Sequence, residues 1–105
     1  MIRNPILMVR GTIPPIVELD TESSCAYIRF SWAKVAKTVQ RSFSGPLVAI
    51  DYDQSNGVVG VELVGVIEVS IARLLAIAKV KPSGVDLNKT RYVSPRVPER
   101  DLVNV

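Results

Sequence analysis

Three carboxylates around a short turn are the residues best placed to do chemistry. Asp51, Asp53 and Ser55 are followed by Glu62, eleven residues after Asp51. These match the first, third, fifth and twelfth positions of an EF-hand loop, whose oxygens wrap a calcium ion. The match fails where that loop is most demanding. Its sixth position is Asn56, with Gly57 one place late, and β-branched runs flank it where helices are required. A solvated hairpin turn is the better account, so neither a metal nor a cofactor is expected. Carboxylates sharing a sheet face repel, and like charges directly opposed cost up to ~1 kcal/mol. Arg29 on the same face, with Lys37 in reach of it, is expected to relieve them by an intrachain ion pair. A basic partner would do the same.

Other chemistry is scarce. The 105 residues include no histidine, which excludes Ser-His-Asp and Cys-His catalysis and imidazole metal sites. The single cysteine, Cys25, excludes an internal disulfide and a multi-cysteine zinc site. It reads as a small buried residue, since any activation would have to come from Arg29 or Lys37. The protein is therefore not expected to be an enzyme. Arg29, Lys34, Lys37 and Arg41 lie together with no acid between them, and the net charge is +3. Nucleic-acid binding through this stretch is the alternative reading, and it needs aromatic residues to stack bases. Trp32 and Phe43 are the candidates, but the spacing of Trp32 places it with the core residues.

The elements that position these groups follow from periodicity. Ile16–Leu19 reads as a strand, Asp20–Ser24 as a polar turn. Cys25–Trp32 alternates: Ala26, Ile28, Phe30 and Trp32 on one face, Cys25, Tyr27, Arg29 and Ser31 on the other, the mark of a half-buried antiparallel strand. Val35–Arg41 reads as a weaker third strand, and Ser42–Pro46 as a turn. Leu47–Val64 then forms a hairpin about Asn56-Gly57, the strongest short-range hairpin signal. Loop length fixes which side chains meet. A two-residue loop sets Ile50 against Leu63 and Asp51 against Glu62. A four-residue loop sets Ile50 against Val61, Val48 against Leu63 and Asp51 against Gly60. Both keep Val48, Ile50, Tyr52, Val59, Val61 and Leu63 on one apolar face, and Asp51, Asp53 and Glu62 on the other. A three-residue loop would mix the two sets and bury a carboxylate. Beyond the hairpin, Ile71, Leu74, Leu75 and Ala78 fall at helical spacing, predicting a helix over Ser70–Val80. Ser70 is its expected N-cap, Lys79 and Lys81 favour its C-terminal end, and Pro82 stops it.

These residues also carry a family likeness. Leu47 to Asp53 (LVAIDYD) and Gly57 to Leu63 (GVVGVEL) resemble the "vivDyDxxGxvvGiEil" pattern of the domain-of-unknown-function 2283 family of small bacterial proteins. Ala26-Tyr27-Ile28-Arg29-Phe30 is similar to that family's "alYirl" strand, and Lys37-Thr38-Val39 to its third. The resemblance covers roughly residues 16–75. Leu19-Asp20 stands in place of the usual Tyr-Asp pair, Ser24-Cys25 carries no acid, and the loop before Leu47 is longer than the family's. The family has no established activity; the resemblance implies an antitoxin-like setting, beside a small toxin.

The expected fold is α+β: an antiparallel β-meander of four to five strands with one C-terminal helix packed on one face. The expected organisation is an N-terminal arm (1–15), in which Ile6–Val9 would form a short edge strand or lie as an apolar strip on the body, a single α+β domain (16–81) and an extended C-terminal tail (82–105), in which Arg91–Val93 would add an edge strand here or on a partner. The apolar runs at Ile6–Val9 and Leu63–Val80 are too short or too interrupted to cross a bilayer, so a soluble, cytoplasmic protein is expected, with no membrane partner. The expected function is a small protein-interaction module. Asp51, Asp53 and Glu62, with Arg29 and Lys37, would form its docking surface for a basic protein. The partly apolar second sheet face predicts a homodimer.

Overall fold

Residue 28 shows how the sheet is built. Ile28 is fully buried, as are Ala26 and Phe30 beside it, while Tyr27 and Arg29 between them reach the opposite face. Alternation of this kind carries strand β3 (Cys25–Arg29), and the same logic gives β2 (Ile16–Asp20), β5 (Leu47–Tyr52) and β6 (Val58–Val64). In this computed structural model, residues 6–41, 45–66 and 68–94 are described. Strands β1 (Leu7–Arg10), β4 (Lys37–Gln40), β7 (Val80–Ser83) and β8 (Arg91–Val93), one helix, α1 (Ile71–Ala78), and a 3-10 turn at Leu87–Lys89 complete the described elements.

The main sheet has six strands in the order β4-β5-β6-β3-β2-β8. All its pairs are antiparallel except β2 with β8. The fold is thus α+β, but it is not a meander. β3 lies beside β6 rather than beside the next strand in the chain, so β3 to β6 take the Greek-key order. The physical reason is the apolar content of the two rivals. β6 offers Val61 and Leu63 opposite Ile28 and Ala26, whereas β4 contributes only Val39 among Lys37, Thr38 and Gln40. A strand so polar is stable at an edge and costly at a sheet centre.

On the apolar face, Val17, Ile28, Val61, Leu63 and Ile50 pack against Ile71, Leu74, Leu75 and Ala78 of α1. Each buried valine, leucine or isoleucine among them contributes about 1.5–3 kcal/mol. The helical stripe and the N-cap position at Ser70 are therefore as expected, but the capping bond and the C-terminal end differ. Val80 is not helical: Lys79 takes a left-handed conformation (φ 57°), ends the helix and turns the chain into β7. Pro82 lies inside β7, opposite Val9 of β1, and β7 pairs only with β1, a place where proline is tolerated. Ser70 sits at the N-cap position without a side-chain cap bond. The Tyr92 hydroxyl, from β8, accepts the Ile71 N–H instead, at 2.9 Å.

Two segments read as arm and tail join this framework. β1 pairs in parallel with β7, and Val9 enters the core at 1% exposure. Arg91–Val93 becomes the edge strand β8 within this chain.

The hairpin follows neither loop length expected of it. Asp53 N–H donates to the Gly57 carbonyl at 2.8 Å and Asn56 N–H to the Asp53 carbonyl at 3.0 Å, closing a three-residue loop whose last residue, Asn56, is left-handed (φ 67°). A bulge then places both Val58 and Val59 against Tyr52, and the ladder resumes with Asp51 opposite Gly60, Ile50 opposite Val61 and Val48 opposite Leu63. The extra residue restores the parity that a three-residue loop would break. The carboxylates consequently stay out of the core.

Candidate functional site

The face of the sheet opposite α1 carries the candidate groups. Register puts Glu18, Tyr27, Arg29, Asp51, Gly60, Glu62, Asp20 and Arg91 on it. Among the described residues, no helix covers this face.

Asp51 is held by two hydroxyls. Tyr27 Oη donates to Oδ2 at 2.8 Å, and Thr38 Oγ1, from the neighbouring edge strand, donates to Oδ1 at 2.5 Å. Tyr27 reaches across β6 to do this, because the residue between them is Gly60. A Cβ at Gly60 would stand 2.1 Å from the Tyr27 hydroxyl oxygen, so only glycine admits the crossing. Burial first, then the bond to the Asp51 carboxylate, push the Tyr27 phenol well above its ordinary pKa.

Arg29 lies next to this pair, between two rings. Its guanidinium carbon is 5.3 Å from the Tyr27 ring centre and 5.0 Å from that of Trp32, within cation–π range. Its Nε is 3.8 Å from Glu18 Oε2 and has no hydrogen bond among the described residues. Trp32, expected in the core, is 68% exposed. Strand β3 ends at Arg29, so the alternation that assigned Trp32 inward stops before reaching it. Arg29, Trp32, Glu18, Arg91 and Val93 border an open groove of about 670 Å3.

The five expected site residues therefore divide. Asp51, Glu62 and Arg29 share the open face. Glu62 is exposed, and its carboxylate has neither hydrogen bond nor ion pair among the described residues. Asp53 belongs to the turn, where Oδ1 accepts from the Ser55 and Gly57 N–H groups, both at 2.8 Å. Lys37 is on the other face, opposite Tyr52, with Nζ 5.6 Å from that ring centre. It cannot neutralise Asp51, whose relief comes from hydroxyl donors instead of a cation.

With Asp51 and Asp53 oxygens engaged in this way, an EF-hand arrangement does not form. Among the described residues, no three His, Cys, Asp or Glu side chains converge as metal ligands. Cys25 is half-buried and its thiol donates to the Ser23 carbonyl at 3.4 Å within its own turn. On the same turn, the Ser23 side chain and backbone, with the Glu22 N–H, hold the Asp20 carboxyl below its ordinary pKa.

Sequence reasoning missed the Tyr27–Asp51 bond and the exposed tryptophan. The first had a signal: an isolated glycine in a strand marks close approach of another group, and the four-residue register set Gly60 directly against Asp51.

No helix among the described residues is long and apolar enough to cross a membrane. No family model, curated protein or solved structure matches this chain. What the site defines is a small α+β protein with one covered and one open sheet face.

Proposed function

We propose that the protein is a non-catalytic interaction module that docks a basic partner on the open face of its sheet. One observation carries this reading: Trp32, 68% exposed, stacks on Arg29 at the rim of a face that no described helix covers. Trp, Tyr and Arg are the residue types that dominate binding energy at protein interfaces. Charge gives the partner its sign, because Glu18, Asp20, Asp51 and Glu62 face Arg29 and Arg91 there. The docking surface differs in detail from the hairpin tip. Asp51 and Asp53 serve the fold, whereas Glu62, Glu18, Arg29 and Trp32 are available to a partner. The resemblance to the domain-of-unknown-function 2283 family agrees with an antitoxin-like role for such a module.

The exposure of Trp32 also favours a second reading, single-stranded nucleic acid stacked on the indole beside the Arg29–Arg41 cations. One titration separates the two. A fluorescently labelled arginine-rich peptide and a labelled oligothymidylate are each added to the protein and to Trp32→Ala, Glu62→Lys and Lys37→Glu variants. Peptide binding that Trp32→Ala and Glu62→Lys each weaken at least ten-fold supports the module. Oligonucleotide binding that Lys37→Glu abolishes and Glu62→Lys strengthens overturns it.

A further inference from the structure

The far edge of the sheet has a different character from its open face. β4 has four residues, all exposed, and among the described residues it pairs on one side only, with β5. The Arg41 N–H donates to the Val48 carbonyl at 2.8 Å, which fixes the phase of the ladder. In an antiparallel pair, alternate residues turn their N–H and C=O groups to opposite sides. Val39 therefore bonds inward to Ile50, and Thr38 and Gln40 turn theirs outward. Among the described residues, no strand meets them.

Such an edge is a template for an added strand. The side chains around it select what is added. On the helix-side face, Lys37 and Val39 stand in a row that Arg41 continues, and Val39 is 43% exposed. Lys37 Nζ lies 5.6 Å from the Tyr52 ring centre on β5, and its four-carbon stem lets the ammonium swing from there to the outer edge. Lys34, just upstream, is also exposed. From Ala26 to Ile50 the sequence has no carboxylate. A second copy paired here would set this cationic row against itself, and like charges directly opposed are destabilising.

We propose that the outer edge of β4, unpaired among the described residues, receives an extended acidic segment of a partner protein as a seventh strand of the main sheet. A carboxylate stands beside Lys37 and a β-branched residue beside Val39, so the segment carries an acid two residues from a β-branched residue, and a peptide with an acid on either side serves both strand directions. Its backbone bonds the outward groups of Thr38 and Gln40. This proposal is independent of the open-face reading, since it uses other residues and a partner of opposite charge.

The test uses the full chain and a capped peptide, Ser-Glu-Thr-Val-Thr-Glu-Ser. Amide exchange read by NMR reports on the edge directly. Peptide at saturation should slow exchange at Thr38 and Gln40 at least ten-fold and leave Val39 unchanged. In an antiparallel addition, N-methylation of the central valine should be tolerated, because its N–H points away from β4. N-methylation of either threonine should weaken binding at least ten-fold. Lys37→Glu should lose ten-fold or more in affinity, recovered by a peptide with lysine in place of glutamate, whereas Glu62→Lys should bind normally. Three results would each overturn the proposal: no binding at millimolar peptide, binding without protection of Thr38 and Gln40, or protection that rises with protein concentration alone. The last would assign the edge to a second copy.

Discussion

At the scale of single residues, the Tyr27 side chain, laid diagonally over Gly60 to reach Asp51, organises the open face. Tyr27 spans β6 only because Gly60 has no side chain, and its hydroxyl satisfies Asp51. Gly60→Ala should therefore destabilise the protein by about 1–3 kcal/mol, the usual cost of forcing a group into occupied space. Urea unfolding measures this, and in a Tyr27→Ala background, where the ring is gone, the same substitution should cost far less. Tyr27→Phe loses a hydrogen bond to a charged acceptor, worth about 1.5–3 kcal/mol when formed. It should also change the alkaline limb of stability. The native phenol holds its proton more tightly than the unfolded one, so above about pH 10 the unfolded chain releases a proton that the native state retains. Stability conferred by Tyr27 is complete below that pH and is lost as pH rises toward the raised native value. Wild-type urea midpoints should fall more than those of Tyr27→Phe between about pH 8.5 and about pH 10.5. Equal falls would remove Tyr27 from the account.

At the scale of elements, what was legible and what was not can be traced to range. The faces of β3, β5 and β6 were readable because alternation needs only neighbouring residues. The hairpin loop was misread because parity reasoning assumes an unbroken ladder, and a bulge changes the count by one without moving the apolar set. The helix stripe and its N-cap position, Ser70, were readable from spacing, but not the capping partner or the C-terminal end. Tyr92, twenty-one residues from Ile71, supplies the missing acceptor. Lys79, a cation that would favour a helix C-terminus, instead becomes the left-handed residue that ends it. Glycine holds that conformation without the penalty of a side chain, so Lys79→Gly should stabilise the protein by about 1 kcal/mol. Differential scanning calorimetry reads it as a raised Tm. An unchanged or lowered Tm would mean that the lysine side chain contributes more there than its backbone costs.

At the scale of the whole molecule, the two sheets share one core, and residues far apart in the chain close it. Val9 of β1 shares one buried cluster with Val80 of β7 and with α1, so of the two readings of Ile6–Val9, a short edge strand or an apolar strip, the strand is the one formed. Val9→Asp places an unpaired charge in that core and should cost about 3 kcal/mol or more. Met8→Asp, one residue away and 60% exposed, should change stability by less than about 0.5 kcal/mol. Chemical denaturation of the two variants checks the contrast, and equal midpoints would return Leu7–Arg10 to the status of an arm. By itself the sequence determined the α+β class, the apolar face of each long strand, the stripe of α1 and the sharing of one face by Asp51, Glu62 and Arg29. All of these depend on spacing within one element or across one turn. Only the tertiary structure decided that β6 displaces β4 beside β3, that Lys37 leaves the acidic face, that Trp32 is exposed and that Tyr27 rather than a cation quiets Asp51. Those outcomes turn on which strands become neighbours. Neighbours are chosen by the competition of whole apolar faces for the sheet centre, a quantity no local pattern contains.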